Sequence, residues 1–214
     1  MHHPDQPNPL PPPSSRTILT ATLRQATAET HAAVEQLPIM LRLTSSSVTR
    51  DDYRRYLQTL AILYARVETP FYNGLDEAVR ERLGIRPKLP ALLRDLEELG
   101  DPAPTASIEP DPRTSNGVAP RNASALVGGL YVLEGATLGG RTIARHLRRV
   151  LGAELGTASF LDFHGEQTSA AWKHFSGALD ELCADGILLP EAVIAGALVA
   201  FQDIYRRLEQ ASPP

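Results

Sequence analysis

The chain has 214 residues, 43% hydrophobic but only 6% aromatic, enough for one sizeable core built mainly from Leu, Ala, Val and Ile. A formal net charge of −4 argues against a nucleic-acid binder that works through a general positive field, although RHLRR at 145–149 is a local basic cluster. The lone Cys183 excludes an intrachain disulfide framework, no apolar run approaches the about 18 residues of a membrane span, and the N-terminus lacks a signal-peptide pattern, so a soluble cytoplasmic protein is expected.

Residues 1–15, MHHPDQPNPLPPPSS, hold six prolines and read as a disordered or polyproline-like tail. One helical domain is expected over 16–210. Its first helix covers 17–36, starting near Ser15 or Thr17 and stopping before Pro38. A second opens on the capping sequence TRDDY at 49–53 and reaches about Thr69, where Pro70 bends or interrupts it before a segment from Phe71 to Leu83. A short helix follows at roughly 90–99. The stretch DPAPTASIEPDPRTSNGVAP at 101–120 carries five prolines and reads as a long loop. Three more helices are expected, at 121–151 ended by Gly152, at 166–184, and at 190–210 with Pro190 in the first turn, leaving 211–214 as a tail. No window alternates with period two long enough to compete as a strand, so the expected fold is an all-α, single-domain bundle.

Within the first helix, residues 23–35 read LRQATAETHAAVE. Leu23, Ala26, Thr30 and Val34 form an apolar stripe, and Arg24, Ala28, His31 and Glu35 run beside it at helical spacing. Small alanines leave room for something bulky to lie against His31. Glu35, one turn on, can fix the imidazole tautomer directly or through water, as the outer partner of a metal-ligating histidine does. The same residues equally suit a partly buried histidine with a surface carboxylate neighbour.

Residues 131–147 read YVLEGATLGGRTIARHL, with Gly135, Gly139 and Gly140 inside one helical pattern. Each mid-helix glycine costs about 1 kcal/mol relative to alanine, so bare backbone there needs a reason. A phosphate loop fails, because no strand precedes the glycines and no GK[ST] follows. Close helix–helix packing is one surviving reading. The other is a large flat ligand lying across a kinked helix. Paired with a histidine helix that has a cleared face, the second describes a haem held between two helices.

Together these segments resemble the haem oxygenase family: LRQATAETHAAVE is similar to its proximal-helix motif and YVLEGATLGGR to its distal-helix motif, in the form of bacterial members that partner phytochromes. FLDFHGE (160–166), WKHF (172–175) and AFQDIYRRL (200–208) resemble further segments of that family, so the similarity spans most of 17–210. The resemblance implies that His31 is the proximal iron ligand and Glu35 the carboxylate that interacts with it. It implies that Gly135 and Gly139, with Gly140 beside them, lie against the haem, and that Arg24 and Lys173 pair with its propionates. One departure stands out. Many members have an aspartate after the glycine matching Gly135, supporting a water network that delivers protons; here the residue is Ala136. Thr137 is the neighbouring polar side chain and joins Gly135 and Gly139 in the expected catalytic set, and Glu134 precedes the glycine; neither is an obvious replacement for the aspartate, and an ordered water on backbone carbonyls is the substitute. His164, where many relatives have tyrosine, and His174 are read as structural, and His146 as a surface or propionate-side residue.

The implied reaction uses haem b as both cofactor and substrate, with O2 and an external electron donor such as ferredoxin, a reductase or ascorbate. Its products are biliverdin, carbon monoxide and ferrous iron, and a bilin-accepting phytochrome is the suggested downstream partner; no nucleic-acid or membrane partner is expected. Two alternatives stay open. One is a haem-binding or sensor protein with little or no turnover, favoured by Ala136. The other is a related bundle serving a different ligand, such as a thiamin-degrading enzyme, or a scaffold.

Overall fold

The computed structural model describes residues 18–101 and 122–212. The proline-rich stretch 1–15, and all of 101–120 except Asp101, lie outside the described residues. The described chain is all-helical: α1 (Leu19–Glu35), α2 (Pro38–Leu43), α3 (Arg50–Asn73), α4 (Glu77–Leu83), α5 (Leu89–Glu98), α6 (Ala123–Leu151), α7 (Thr168–Ala184) and α8 (Pro190–Ala211). None of these helices is long and apolar enough to cross a membrane.

Local chemistry sets the boundaries. Thr49 and Asp52 form a reciprocal capping box, the Thr49 hydroxyl accepting from the Asp52 N–H at 3.2 Å and the Asp52 carboxylate accepting from the Thr49 N–H at 2.8 Å. The Asn122 side chain caps α6 by accepting from Ser124 N–H at 2.8 Å, and Gly152, at φ +55°, ends it. α1 has no side-chain cap of its own; Asp180 of α7 accepts from the Thr20 N–H at 2.9 Å and so satisfies one first-turn donor from across the bundle.

The first helix stops before Pro38 as expected, ending at Glu35, and Pro38 then opens the short α2 from its N1 position. Two expectations are corrected. Pro70 does not interrupt its helix: α3 runs on through it to Asn73 and breaks at Gly74, so the helix tolerates the one i→i−4 hydrogen bond that proline cannot make. The buried seam of α1 is Leu19, Leu23 and Thr27, with Ala26 exposed and Thr30 only partly covered. Thr27 is tolerated inside because its hydroxyl donates to the Leu23 carbonyl at 2.7 Å, while an exposed alanine methyl costs little. At the other end α8 reaches Ala211, and the Ser212 hydroxyl accepts from Ile39 N–H at 3.3 Å, tying the end of α8 to α2.

The spine of the fold is the α6–α8 pair. A Cβ on Gly128 would stand 2.0 Å from the Val193 carbonyl oxygen, and one on Gly196 would stand 2.0 Å from that of Ala125. The two backbones therefore touch, each glycine making room for the other helix. α1 lies across α8 and α7. Asp95 of α5, buried, accepts from Ser159 N–H at 2.8 Å, the Ser159 hydroxyl at 2.6 Å, Phe160 N–H at 2.9 Å and the Tyr53 hydroxyl at 3.2 Å. Those bonds pin the turn that carries Phe160 and Leu161 toward the space between α1 and α6. Cys183 is partly buried, which pushes its thiol up to about 11 and makes it a poor nucleophile.

Candidate active site

A cavity of about 420 Å³ opens between α1 and α6, closed behind by α3, α8 and the Phe160–Leu161 turn, within the size range of small-molecule and cofactor sites. Its lining is largely apolar, including Leu60, Leu63, Val132, Phe160 and Phe201.

The α1 wall carries Arg24, Ala28, His31 and Glu35 on one face, all exposed, beside the buried seam whose Thr27 also lines the cavity. The edge of the His31 ring meets Phe201 of α8, centroids 5.9 Å apart and planes at 73°. His31 Nδ1 lies 3.7 Å from Glu35 Oε1, beyond a direct hydrogen bond and suited to a bridging water. The two side chains are 59% and 61% exposed, so this pair adds little stability. What it does is orient: with Nδ1 turned to Glu35, Nε2 is the nitrogen left to take a ligand.

The α6 wall presents Gly135, Ala136, Thr137, Gly139 and Gly140 to the same cavity. Their missing side chains have different causes. Nothing lies within 4 Å of where a Cβ on Gly139 would stand, so its bareness serves no contact within the described protein. A Cβ on Gly135 would meet the Trp172 ring at 3.5 Å, an ordinary contact that leaves alanine sterically acceptable. Gly140 is held bare by packing, since its Cβ would stand 2.8 Å from the Leu161 carbonyl oxygen. The helix–helix reading of bare backbone applies to Gly128 and Gly196, while the ligand reading fits Gly139.

Thr137 is buried and its hydroxyl donates to the Glu134 carbonyl at 2.7 Å, so its proton is engaged by its own helix. Lys173 is exposed on α7 and does not line the cavity, which leaves Arg24 as the cation on the α1 rim. His146 is also outside the cavity: Nε2 lies 2.9 Å from the Ser45 carbonyl and Nδ1 lies 2.9 Å from an Arg149 nitrogen. His174 packs on Gly84.

The sequence reading missed Lys88, whose side chain is 3% exposed, lines the cavity and bonds to Glu134. It sits between Pro87 and Leu89–Pro90, where no periodicity marks an inward direction, and only a lysine flanked by apolar and proline residues hints at it.

These features fit haem. Among the described residues no group of three or more His, Cys, Asp or Glu side chains could hold a metal ion, so the single imidazole suits a metal whose other ligands come with it, as a porphyrin supplies them. The open space over Gly139 leaves room for a flat ring against the backbone, and Arg24 is an exposed cation among the lining residues.

The comparisons with known proteins point the same way. The family model described as Heme oxygenase matches residues 17–210. A heme oxygenase of Xanthomonas campestris pv. campestris (strain 8004) is 30% identical over 178 residues, 82% of this chain and 100% of that protein. In fold, the chain is similar to the heme oxygenase of Leptospira interrogans, with a TM-score of 0.69 at 20% identity over 91% of this chain and 100% of that one. It is similar also to a heme oxygenase of the cyanobacterium Synechocystis sp. PCC6803 solved in complex with heme, with a TM-score of 0.67 at 17% identity over 91% and 92% of the two chains. With a match that runs almost the full length of the described bundle, the chain belongs to the haem oxygenase family.

Proposed function

We propose that this chain cleaves haem oxidatively to biliverdin, carbon monoxide and ferrous iron, with haem b bound between α1 and α6. The observation that carries this reading is one cavity lined by His31 on one helix and by the unobstructed backbone of Gly139 on another. Bound haem supplies the iron that activates O2 and the macrocycle that is opened. The chain supplies the rest. His31 Nε2 would ligate the iron, oriented through Glu35, and Arg24 would pair with the propionates at the rim. Gly135 and Gly139 let the ring approach the helix backbone, and the apolar lining excludes bulk water. An electron donor such as ferredoxin, a reductase or ascorbate must act from outside, a phytochrome is a fitting acceptor of the bilin, and the cytoplasm is the fitting compartment.

A test is hemin titration. The wild-type protein is expected to take up one equivalent and develop a Soret band. Gly139→Leu, whose Cβ would have no neighbour within 4 Å, puts bulk into the space over α6; it should melt no lower than the wild type yet bind hemin at least about tenfold more weakly, a loss of roughly 1.4 kcal/mol. Equal hemin affinity in the two proteins would contradict the proposed pose. A second reading, haem binding without turnover, is favoured by Ala136, which contributes only a methyl group to the cavity.

A further inference from the structure

Behind the α6 wall lies a buried set of charges to which nothing above gives a role. Glu68 of α3 accepts from the Lys88 N–H at 2.6 Å and the Leu89 N–H at 2.8 Å, fixing the backbone where α5 begins. That anchor drives the Lys88 side chain inward. Its ammonium donates to Glu134 Oε1 and lies 3.4 Å from the Arg86 carbonyl and 5.0 Å over the Phe163 ring. The other Glu134 oxygen, Oε2, is 3.5 Å from His164 Nε2. On its far side His164 Nδ1 is 3.3 Å from an Arg86 nitrogen. A guanidinium only donates, so Nδ1 accepts and the imidazole proton sits on Nε2, facing Glu134. Burial pushes the Glu134 carboxyl up, but the His164 imidazole and the Lys88 ammonium outweigh it and hold the group below the usual carboxylate range. Glu68 moves the other way, raised by burial against the two N–H bonds it receives. Tyr64 and Tyr72 of α3 complete the surroundings, both raised by burial.

Stability does not account for this arrangement. A buried ion pair is commonly no better than a well-packed apolar pair of the same volume. Nor is every donor used: an ammonium has three N–H groups, and Glu134 and Arg86 take two. Lys88 also lines the cavity, as do Ala136, whose side chain offers no hydrogen bond, and Thr137, whose proton is engaged.

We propose that Lys88 is the fixed cationic donor of this cavity, aimed by Glu134, and that it hydrogen-bonds a small ligand or water held against α6 in place of the missing carboxylate network. This rests on the haem reading of the cavity. In a poorly hydrated, largely apolar site a fixed charge acts strongly on whatever binds beside it and needs no reorganisation to do so. Glu134 and His164 are positioning residues, acting only through Lys88.

The test is the infrared C–O stretch of carbon monoxide bound to the reduced haem-loaded protein, a readout independent of turnover. A cation beside the CO oxygen lowers that frequency, so Lys88→Met is expected to raise it and Lys88→Arg to keep it low. Lys88→Met alone leaves Glu134 unpaired and can unfold the chain; the double variant Lys88→Met/Glu134→Leu removes both charges and is expected to fold and show the same rise. An unchanged frequency in either folded Met variant would overturn the role of Lys88 while leaving the haem reading intact. A wild-type protein that takes up no hemin would overturn the haem reading, and this inference with it.

Discussion

Replacing His31 with alanine is expected to lower haem turnover at least about 100-fold, the upper end of what losing an outer partner alone costs a metal site. The imidazole is the one ligand the α1 wall offers from a position facing the cleared face of α6. The hemin complex of His31→Ala should lose the spectrum of an imidazole-ligated haem and regain it when free imidazole is added. Rescue is expected because the histidine face opens to solvent and its removal leaves a gap bounded by Phe201, with no displaced backbone. Glu35→Gln should do much less, within about tenfold, since at 3.7 Å and largely exposed Glu35 orients the ring without holding it. A His31→Ala spectrum identical to the wild type would remove His31 from the iron.

The second large effect concerns the fold and has opposite signs at two glycines of similar appearance. Gly→Ala in a helix gains about 1 kcal/mol from propensity alone. At Gly196 the added methyl would stand 2.0 Å from the Ala125 carbonyl oxygen and 2.8 Å from its Cα, backbone atoms that cannot rotate away. The helices must separate, and Val193 and Ala197 beside the contact are fully buried. Overpacking at such a site costs about 3 kcal/mol or more, which exceeds the propensity gain. The melting temperature of Gly196→Ala is therefore expected to fall by several degrees, at roughly 2–4 °C per kcal/mol for a chain of this size. At Gly139 no atom lies within 4 Å of the new methyl, so Gly139→Ala should raise the melting temperature of the haem-free protein. Thermal melts of the two variants against wild type decide it; a fall at Gly139 would mean that its bareness serves the fold and not a ligand.

The parts of this site legible in the sequence are those whose geometry is local to one helix. His31 and Glu35 are four residues apart, as are Gly135 and Gly139, and helical spacing alone puts each pair on one face. That α1 and α6 belong to one site followed from pairing a histidine helix with a cleared face and a glycine-bearing helix, a pairing the resemblance then supported. Lys88 and Glu134 are 46 residues apart and meet only because Glu68 anchors the start of α5, a tertiary fact with no periodic trace. The same holds for the glycines. Gly139 and Gly140 look alike in the string, and only the Leu161 carbonyl against one of them shows that their reasons differ. On α1 the spacing points to a stripe through Leu23, Ala26, Thr30 and Val34, whereas docking on α7 and α8 buries the one through Leu19, Leu23 and Thr27. Pro70 misleads because proline removes one hydrogen bond without dictating a break, and the surrounding packing carries α3 through it to Asn73.

The central claim is that this cavity turns haem over and does not merely hold it. The direct measurement supplies one equivalent of hemin and a reducing system, with catalase present so that free peroxide cannot degrade the haem. It follows the Soret band together with the red absorbance of biliverdin and the carbon monoxide released. The account predicts loss of the Soret band with stoichiometric appearance of both products, despite Ala136. A Soret complex that persists through reduction and oxygenation, with neither product formed, would contradict it and leave a haem-binding protein in its place.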